Sequence, residues 1–464
     1  MNTEDSEKAV SATDGQEQHG LASIPGEEIG RVMGSYANRI RSLYTAVEFS
    51  VNALQDFRKK KTTHYEQYEK KYGLQGSDGE PKMPSLHLED HLKTMRELFS
   101  AVMHTLDAEK LVPRSLFVSM MSEYESYLGK LLTTMFNLKP DMCSQFKKPL
   151  DVQQALKFQS IEAMRAYIIG TEVDGAMWGD TAEQLGYFAN TLHAIDVDTC
   201  DGVAEVCEIS LRRNLYVHCD GVVGQPYIRK CAALHAKMPK DCCEGKVLEI
   251  TPGYFYKAGE LLLTLGLEIG ASLWWNGFRE SREKTAGYFN RRVMNDLLHE
   301  DDNVVAFHVG EYALRRFEKD TGDVNRRIFV INTAQAYKWN KDEANCKRIL
   351  GMVDWGATAD RFEFQVAVLQ DEYGQAAKYM VKMGRHGDIH DVEYHDWPLL
   401  KEFRKTKEFQ GAYKKVFNRP YNDFSSETKP AAMLDANASR SPNLKKPQLV
   451  PPSSEHTQSE DTPQ

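Results

Sequence analysis

Apolar residues recur every three or four positions along most of the chain from about residue 29 to 424, the period of an α-helix. Ile29 to Phe57 carries Val32, Tyr36, Ile40, Leu43, Val47, Val51 and Leu54 at that spacing, then meets Arg58-Lys59-Lys60-Lys61, which reads as a solvated helix end. Gly73 to Pro84, with three glycines and two prolines, reads as a loop, and Leu86 to Leu106 forms a second periodic segment. Pro113 stands where a proline opens a helix, followed by Phe117, Met121, Tyr124, Leu128, Leu131 and Met135 on one face, with Pro140 as the stop. Further helices are expected over 151–173, 180–193, 202–219 and 252–275, with breaks at Gly221 to Pro226 and Lys237 to Gly245. Strand signals are rare; Asn303 to His308 holds two valines and a phenylalanine but flows into a helical stretch. The expected fold class is all-α.

From 281 to 420 the pattern reads as consecutive helix pairs. Ile331 to Trp339 begins a helix with small residues at packing positions, with Cys346 to Met352 as its partner. A second pair runs from Phe362 through Tyr379 to Met383, and Trp397-Pro398-Leu399 to Phe403, followed by Phe409, caps the array. The placement of small and aromatic residues resembles a degenerate tetratricopeptide (TPR) array, although no fixed period repeats and a plain helical bundle fits the spacing equally. The expected organisation is therefore an acidic tail over 1–28, an N-terminal helical segment over 29–109, a helical domain over 110–280, a TPR-like array over 281–424 and a Pro-rich tail over 425–464. Both tails lack the apolar side chains needed to offset ordering entropy and are expected to be disordered.

Charge changes this picture less than it first promises. The chain of 464 residues has a net charge of −9, which argues against coating nucleic acid non-specifically. Residues 1–28 carry −6 and residues 425–464 carry −1, so the body between them is nearly neutral at −2. A local phosphate site is compatible with that balance. The eight cysteines include six between Cys200 and Cys243, but no C-x-x-C pair occurs and adjacent Cys242-Cys243 suits tetrahedral zinc poorly. Reduced thiols, and an N-terminus without a cationic and apolar leader, point to the cytoplasm. Leu261 to Trp275 is the most apolar stretch, interrupted by Glu268 and too short to span a bilayer, so no membrane association is expected.

One short run carries chemistry. Arg213-Asn214-Leu215-Tyr216-Val217-His218 ends an expected helix just before Cys219-Asp220-Gly221, where the chain can turn away. Asn214 and His218, four apart, stack on one face, and Arg213 lies about 140° round from His218 at the helical period. Cleavage of an RNA phosphodiester can use the adjacent 2′-hydroxyl as nucleophile and so requires no metal. An imidazole can move the protons, a guanidinium can hold the phosphate bidentately, and an amide can orient either. One copy supplies half of an acid–base pair, and two copies across a two-fold axis complete it. The same spacing also suits an exposed arginine with a capping histidine.

Arg213-Asn214-x-x-x-His218 resembles the signature of HEPN-family proteins, an all-α group. The resemblance extends to Arg114–Leu138, similar to that family's first core helix, and to Tyr254–Trp274, similar to its last, over about residues 110–280. It implies a metal-independent endoribonuclease with its active site at a homodimer interface, no cofactor, RNA as substrate, and a role in antiviral defence, toxin–antitoxin pairing or RNA processing. Arg213, Asn214 and His218 are the implied catalytic residues. Arg212 is added from charge and proximity as an RNA-phosphate contact. The helical array would receive a regulatory protein. The rival reading is a non-catalytic helical scaffold or RNA-binding module that uses the motif for dimerisation.

Other constellations are weaker. His308 has Glu311 as a single nearby partner. His386, His390 and His395 with Asp388, Asp391 and Asp396 have spacings compatible with a metal, but Gly387 and the charge density read as a solvated loop. No Walker-type or Gly-x-Gly-x-x-Gly run is present, which disfavours nucleotide cofactors.

Overall fold

The computed structural model describes residues 24–72, 88–146, 150–195, 202–240, 242–317 and 319–422. Of the tails expected over 1–28 and 425–464, residues 1–23 and 425–464 fall outside the described residues, as does the loop at 73–84, while Glu27 and Glu28 of the first tail open a helix. Among the described residues every named element is a helix, an all-α architecture, and the only β-type pairing is an isolated bridge between Val222 and Val247.

Two long helices come first, α1 (Glu27–Tyr72) and α2 (Leu88–Leu138). They pack antiparallel: Arg58 bonds Glu109 at 2.6 Å, Arg39 bonds Glu123 at 2.8 Å, and Tyr36 stacks on Tyr127 with centroids 4.0 Å apart. Both run further than the sequence spacing predicts. Arg58 to Lys61 lies within α1 rather than at its end, and Pro113 lies inside α2 rather than opening a helix. A proline costs a helix one backbone hydrogen bond and a clash with the preceding turn. Here Pro113 is buried, and apolar residues from Phe117 to Phe136 hold the helix against its neighbours. The expected boundary between 109 and 110 falls inside α2.

Four helices follow: α3 (Val152–Ala155), α4 (Ile161–Met177), α5 (Thr181–Asn190) and α6 (Val203–His218). The helix expected over 151–173 is split because Ser160 caps a new start, accepting a hydrogen bond from the Ala163 amide. Then come α7 (Gln225–Ala233) and α8 (Pro252–Gly277). α8 is the centre of the fold, buried almost continuously from Leu262 to Trp275. Its glycines let tyrosines from the hairpin lie against its backbone. A Cβ at Gly259 would sit 2.2 Å from the Tyr44 hydroxyl oxygen, and one at Gly270 would sit 2.6 Å from that of Tyr127. Tyr127 also donates to the Gly266 carbonyl at 2.8 Å. Burial against tyrosines thus accounts for the apolar run, and no helix among the described residues is long and apolar enough to cross a membrane.

Next are α9 (Arg282–Tyr288), continued through a π-helical turn at Phe289–Met294 into α10 (Asn295–His299), then α11 (Asn303–Arg316), α12 (Asp323–Trp339) and α13 (Glu343–Leu350). Asn303 to His308 is helical, as the sequence flow indicates. Trp339 ends α12 instead of lying near its start.

The chain divides after Thr358 into two compact units. The second contains the antiparallel pair α14 (Asp360–Leu369) and α15 (Tyr373–Met383), joined by Lys382 to Asp360 at 2.6 Å, then α16 (Asp391–Asp396) and α17 (Lys407–Phe417). Phe364, Tyr394, Phe403, Phe409 and Tyr413 form its aromatic core. The pair expected from Phe362 to Met383 is therefore present.

Candidate functional site

The motif helix α6 ends as its sequence indicates. The amides of Cys219 and Gly221 both donate to the Leu215 carbonyl, at 2.8 and 3.0 Å, and Gly221 adopts φ +80. A Cβ there would meet the Tyr216 ring at 2.8 Å, so glycine is required for both conformation and space. The chain then turns into α7, whose Tyr227 and Cys231 close a small core with Leu215, Val223, Ala236 and Leu248. This core fixes the end of α6 while leaving Val217 to Asp220 exposed.

His218 is exposed in the last turn, Asn214 is half-buried one turn back, and Arg213 is half-buried beside it. Two residues of α2 hold this end of the helix. Arg213 Nη2 donates to the Glu125 carboxylate, while its buried Nε has no acceptor among the described residues. Arg114 Nη2 donates to the Tyr216 carbonyl at 2.7 Å, Nη1 donates to Asp220, and the guanidinium lies over the Tyr216 ring at 5.1 Å. Arg114 and Glu125 are eleven residues apart, three helical turns, and so share one face of α2. Sequence reasoning misses both. The available signal was two charges in register on the apolar face that Phe117, Met121 and Leu128 define.

Arg212 is placed differently from its expected role as an RNA-phosphate contact. It is 5% exposed and faces inward. Its Nε donates to Glu208 at 2.8 Å, and its guanidinium carbon lies 3.8 Å from the Tyr254 ring centroid. Glu208, equally buried, also accepts from the hydroxyls of Tyr227 at 2.5 Å and Tyr254 at 2.8 Å. Burial disfavours the charge on Arg212, but Tyr254, Glu208 and Tyr227 outweigh it and its pKa is raised. Burial and the Glu208 charge also drive Tyr254 well above the usual phenol range. The physical reason for the correction is helical phase. Glu208 and Arg212 are four apart on the face that meets α7 and α8, whereas Arg213, one residue on, is turned about 100° off that face toward Glu125 of α2.

The remaining candidates are tied into packing. His395 Nε2 lies 3.0 Å from the Tyr413 hydroxyl, its ring stacks on Tyr421, and Asp391 accepts from Tyr413 at 2.6 Å and from Arg419. The His390 amide donates to Glu393 at 2.7 Å, starting α16. Among the described residues no three or more His, Cys, Asp or Glu side chains are grouped to hold a metal. Cys207, Cys231 and Cys346 are buried and in no disulfide among the described residues, Cys219 and Cys243 are exposed, and Cys200 lies outside the described residues. Burial raises the pKa of Cys207 and Cys231 to about 11. Glu311, three residues after His308, accepts from Tyr337 at 2.7 Å and from Arg348.

Comparison with known families, curated proteins and solved structures yields no match to this chain.

Proposed function

We propose that this chain is a cytoplasmic, metal-independent endoribonuclease of the HEPN type, acting as a homodimer in a defence or toxin-type role. The observation that carries the reading is the outward side of α6. His218 is exposed at a fixed helix end, Asn214 stands one turn behind it, and Arg213, about 140° round from His218, is held by Glu125.

In this reading the RNA 2′-hydroxyl loses its proton to one imidazole and attacks the adjacent phosphorus. The P–O5′ bond breaks, and the imidazolium of a second copy protonates the departing oxygen. Arg213 exchanges Glu125 for a non-bridging phosphate oxygen and stabilises the charge that develops there. Asn214 orients the imidazole or the phosphate. Arg212 and Glu208 keep the helix in place and touch no RNA. TPR-like helix pairs in the C-terminal third would receive a regulatory partner.

A second reading, a non-catalytic scaffold or RNA-binding module, is favoured by one observation. Both arginines of the run are already ion-paired within the chain. Incubation of purified protein with single-stranded RNA in excess EDTA separates the two. The nuclease leaves fragments with 2′,3′-cyclic phosphate and 5′-hydroxyl ends. Intact RNA, or cleavage that chelator abolishes, overturns it.

A further inference from the structure

The α1–α2 hairpin runs on past the start of α8. The first turns of α8 lie against Tyr44 of α1 at Gly259, and against Phe117 of α2, whose ring centroid is 5.7 Å from that of Tyr254. Residues 52–72 and 88–111 continue beyond those points as an arm. Arg58 bonds Glu109 there, Tyr65 meets Phe99 at 6.5 Å between ring centroids, and Tyr68 stacks on His91 at 5.5 Å, all within the hairpin. At the rise of a helix, Leu88 to Leu111 spans about 36 Å.

Within the arm α2 carries two apolar stripes. His91, Leu98 and Thr105 recur every seven residues and are buried, with His91 turned to Tyr68 of α1. One residue on, and so turned by about 100°, Leu92, Phe99 and Leu106 repeat the same period, with Met95 and Met103 between them. Leu92 is 54% exposed, Phe99 55% and Met103 41%, while Met95 and Leu106 are half-buried. One stripe suffices for a two-helix seam, and a second one fits a further helix pair.

The second stripe reads the same in both directions. Met95 and Met103 stand four residues either side of Phe99, and Leu92 and Leu106 stand seven either side. An identical helix laid antiparallel on it, about a two-fold axis at Phe99, sets Phe99 on Phe99, Met95 on Met103 and Leu92 on Leu106. Charge follows the same symmetry. Glu89 comes nearest Lys110 of the second copy, and Lys93 comes beside its Asp107, so each end of the contact collects two acids and two bases. All four side chains are exposed and have no partner in their own chain among the described residues. Arg96, on the same side, comes opposite Ser100 and Met103. An anionic membrane or a nucleic acid needs a basic field instead. The arm has none: residues 52–72 carry six Lys or Arg against three Asp or Glu, and residues 88–111 carry three against five. One face of the two-helix arm, about 36 Å by about 20 Å, approaches the roughly 800 Å² per partner of a specific interface.

We infer that the hairpin arms of two copies of this chain pair antiparallel through Leu92, Met95, Phe99, Met103 and Leu106, forming a four-helix bundle with its two-fold axis at Phe99. The contact is separate from the α6 pairing of the nuclease reading and does not rest on it. Arg114, which holds the end of α6, is fifteen residues from Phe99, so the α6 ends of two arm-paired copies stand about 45 Å apart. A chain that makes both contacts assembles beyond a dimer.

The test is sedimentation velocity on the full chain and two variants. Phe99 faces its own counterpart across the axis, so Phe99→Glu and Phe99→Lys each bring like charges together and should lower the mass of the sedimenting species twofold. An equal mixture of the two variants brings opposite charges together and should restore the wild-type mass, which a misfolded chain would not do. Circular-dichroism melting of each variant should match wild type, because the side chain is exposed. A wild type that sediments as a monomer, a Phe99→Glu chain that keeps the wild-type mass, or an equal mixture that stays at the lower mass overturns the proposal.

Discussion

The two sides of α6 use the same residue types for different ends. On the inner side Arg212 is buried on Glu208 and Tyr254, with the hydroxyls of Tyr227 and Tyr254 directed at the carboxylate. On the outer side Arg213, its immediate neighbour, makes one ion pair at a partly buried site, and its Nε has no acceptor among the described residues. The difference is one step of helical phase. It teaches that in a run such as Leu211-Arg212-Arg213-Asn214 charge alone does not assign a role, and that the neighbouring helices decide.

The largest expected effect breaks the inner side. Arg212→Ala leaves Glu208 charged and buried, and should cost about 3–5 kcal/mol of stability in urea unfolding. Arg213→Ala breaks a partly buried pair with Glu125 and should cost less, about 1–2 kcal/mol. Equal losses from the two would end the distinction. A double replacement of Arg212 and Glu208 by apolar residues of similar volume should recover most of the single-mutant loss, because the desolvation of both charges disappears together.

Next in size is the support under the helix. Gly266→Ala on α8 places a Cβ 2.8 Å from the Tyr36 ring and 3.1 Å from that of Tyr127. Overpacking of this kind should cost about 1–3 kcal/mol. If Gly266→Ala is neutral, the hairpin is not pressed on α8 as described.

The smallest effect is kinetic and leaves stability untouched. At pH 8 Cys207 and Cys231, with pKa raised to about 11, remain protonated, whereas exposed Cys219 and Cys243 are accessible to reagent. Because only the thiolate reacts, alkylation followed by peptide mapping should label the exposed pair faster by on the order of 100-fold. Comparable rates at Cys231 would show that the small core at the end of α6 opens readily.

Much of this arrangement is legible in sequence where a local rule suffices. The limits of α6, the turn at Gly221 and the buried apolar run of α8 follow from period, a glycine at positive φ and a terminal threonine or proline. What escapes is set by residues far away in the chain. Arg58 to Lys61 and Pro113 look like helix ends, yet each helix is carried through by its antiparallel neighbour. Arg212 looks like a phosphate contact until Tyr227 and Tyr254 arrive from α7 and α8. Glu208, four residues before it, was the one local hint. Glu125 and Arg114 become visible only when α2 is laid against α6.

The central claim is that the outer side of α6 carries chemistry and the inner side carries structure. The most direct measurement compares wild type and His218→Ala for RNA cleavage in EDTA and for the urea midpoint on the same preparations. The account predicts a loss of at least about 100-fold in cleavage, the typical worth of a general acid or base, with the midpoint unchanged. Wild-type cleavage by His218→Ala, or an unfolding midpoint that falls with it, would contradict the account.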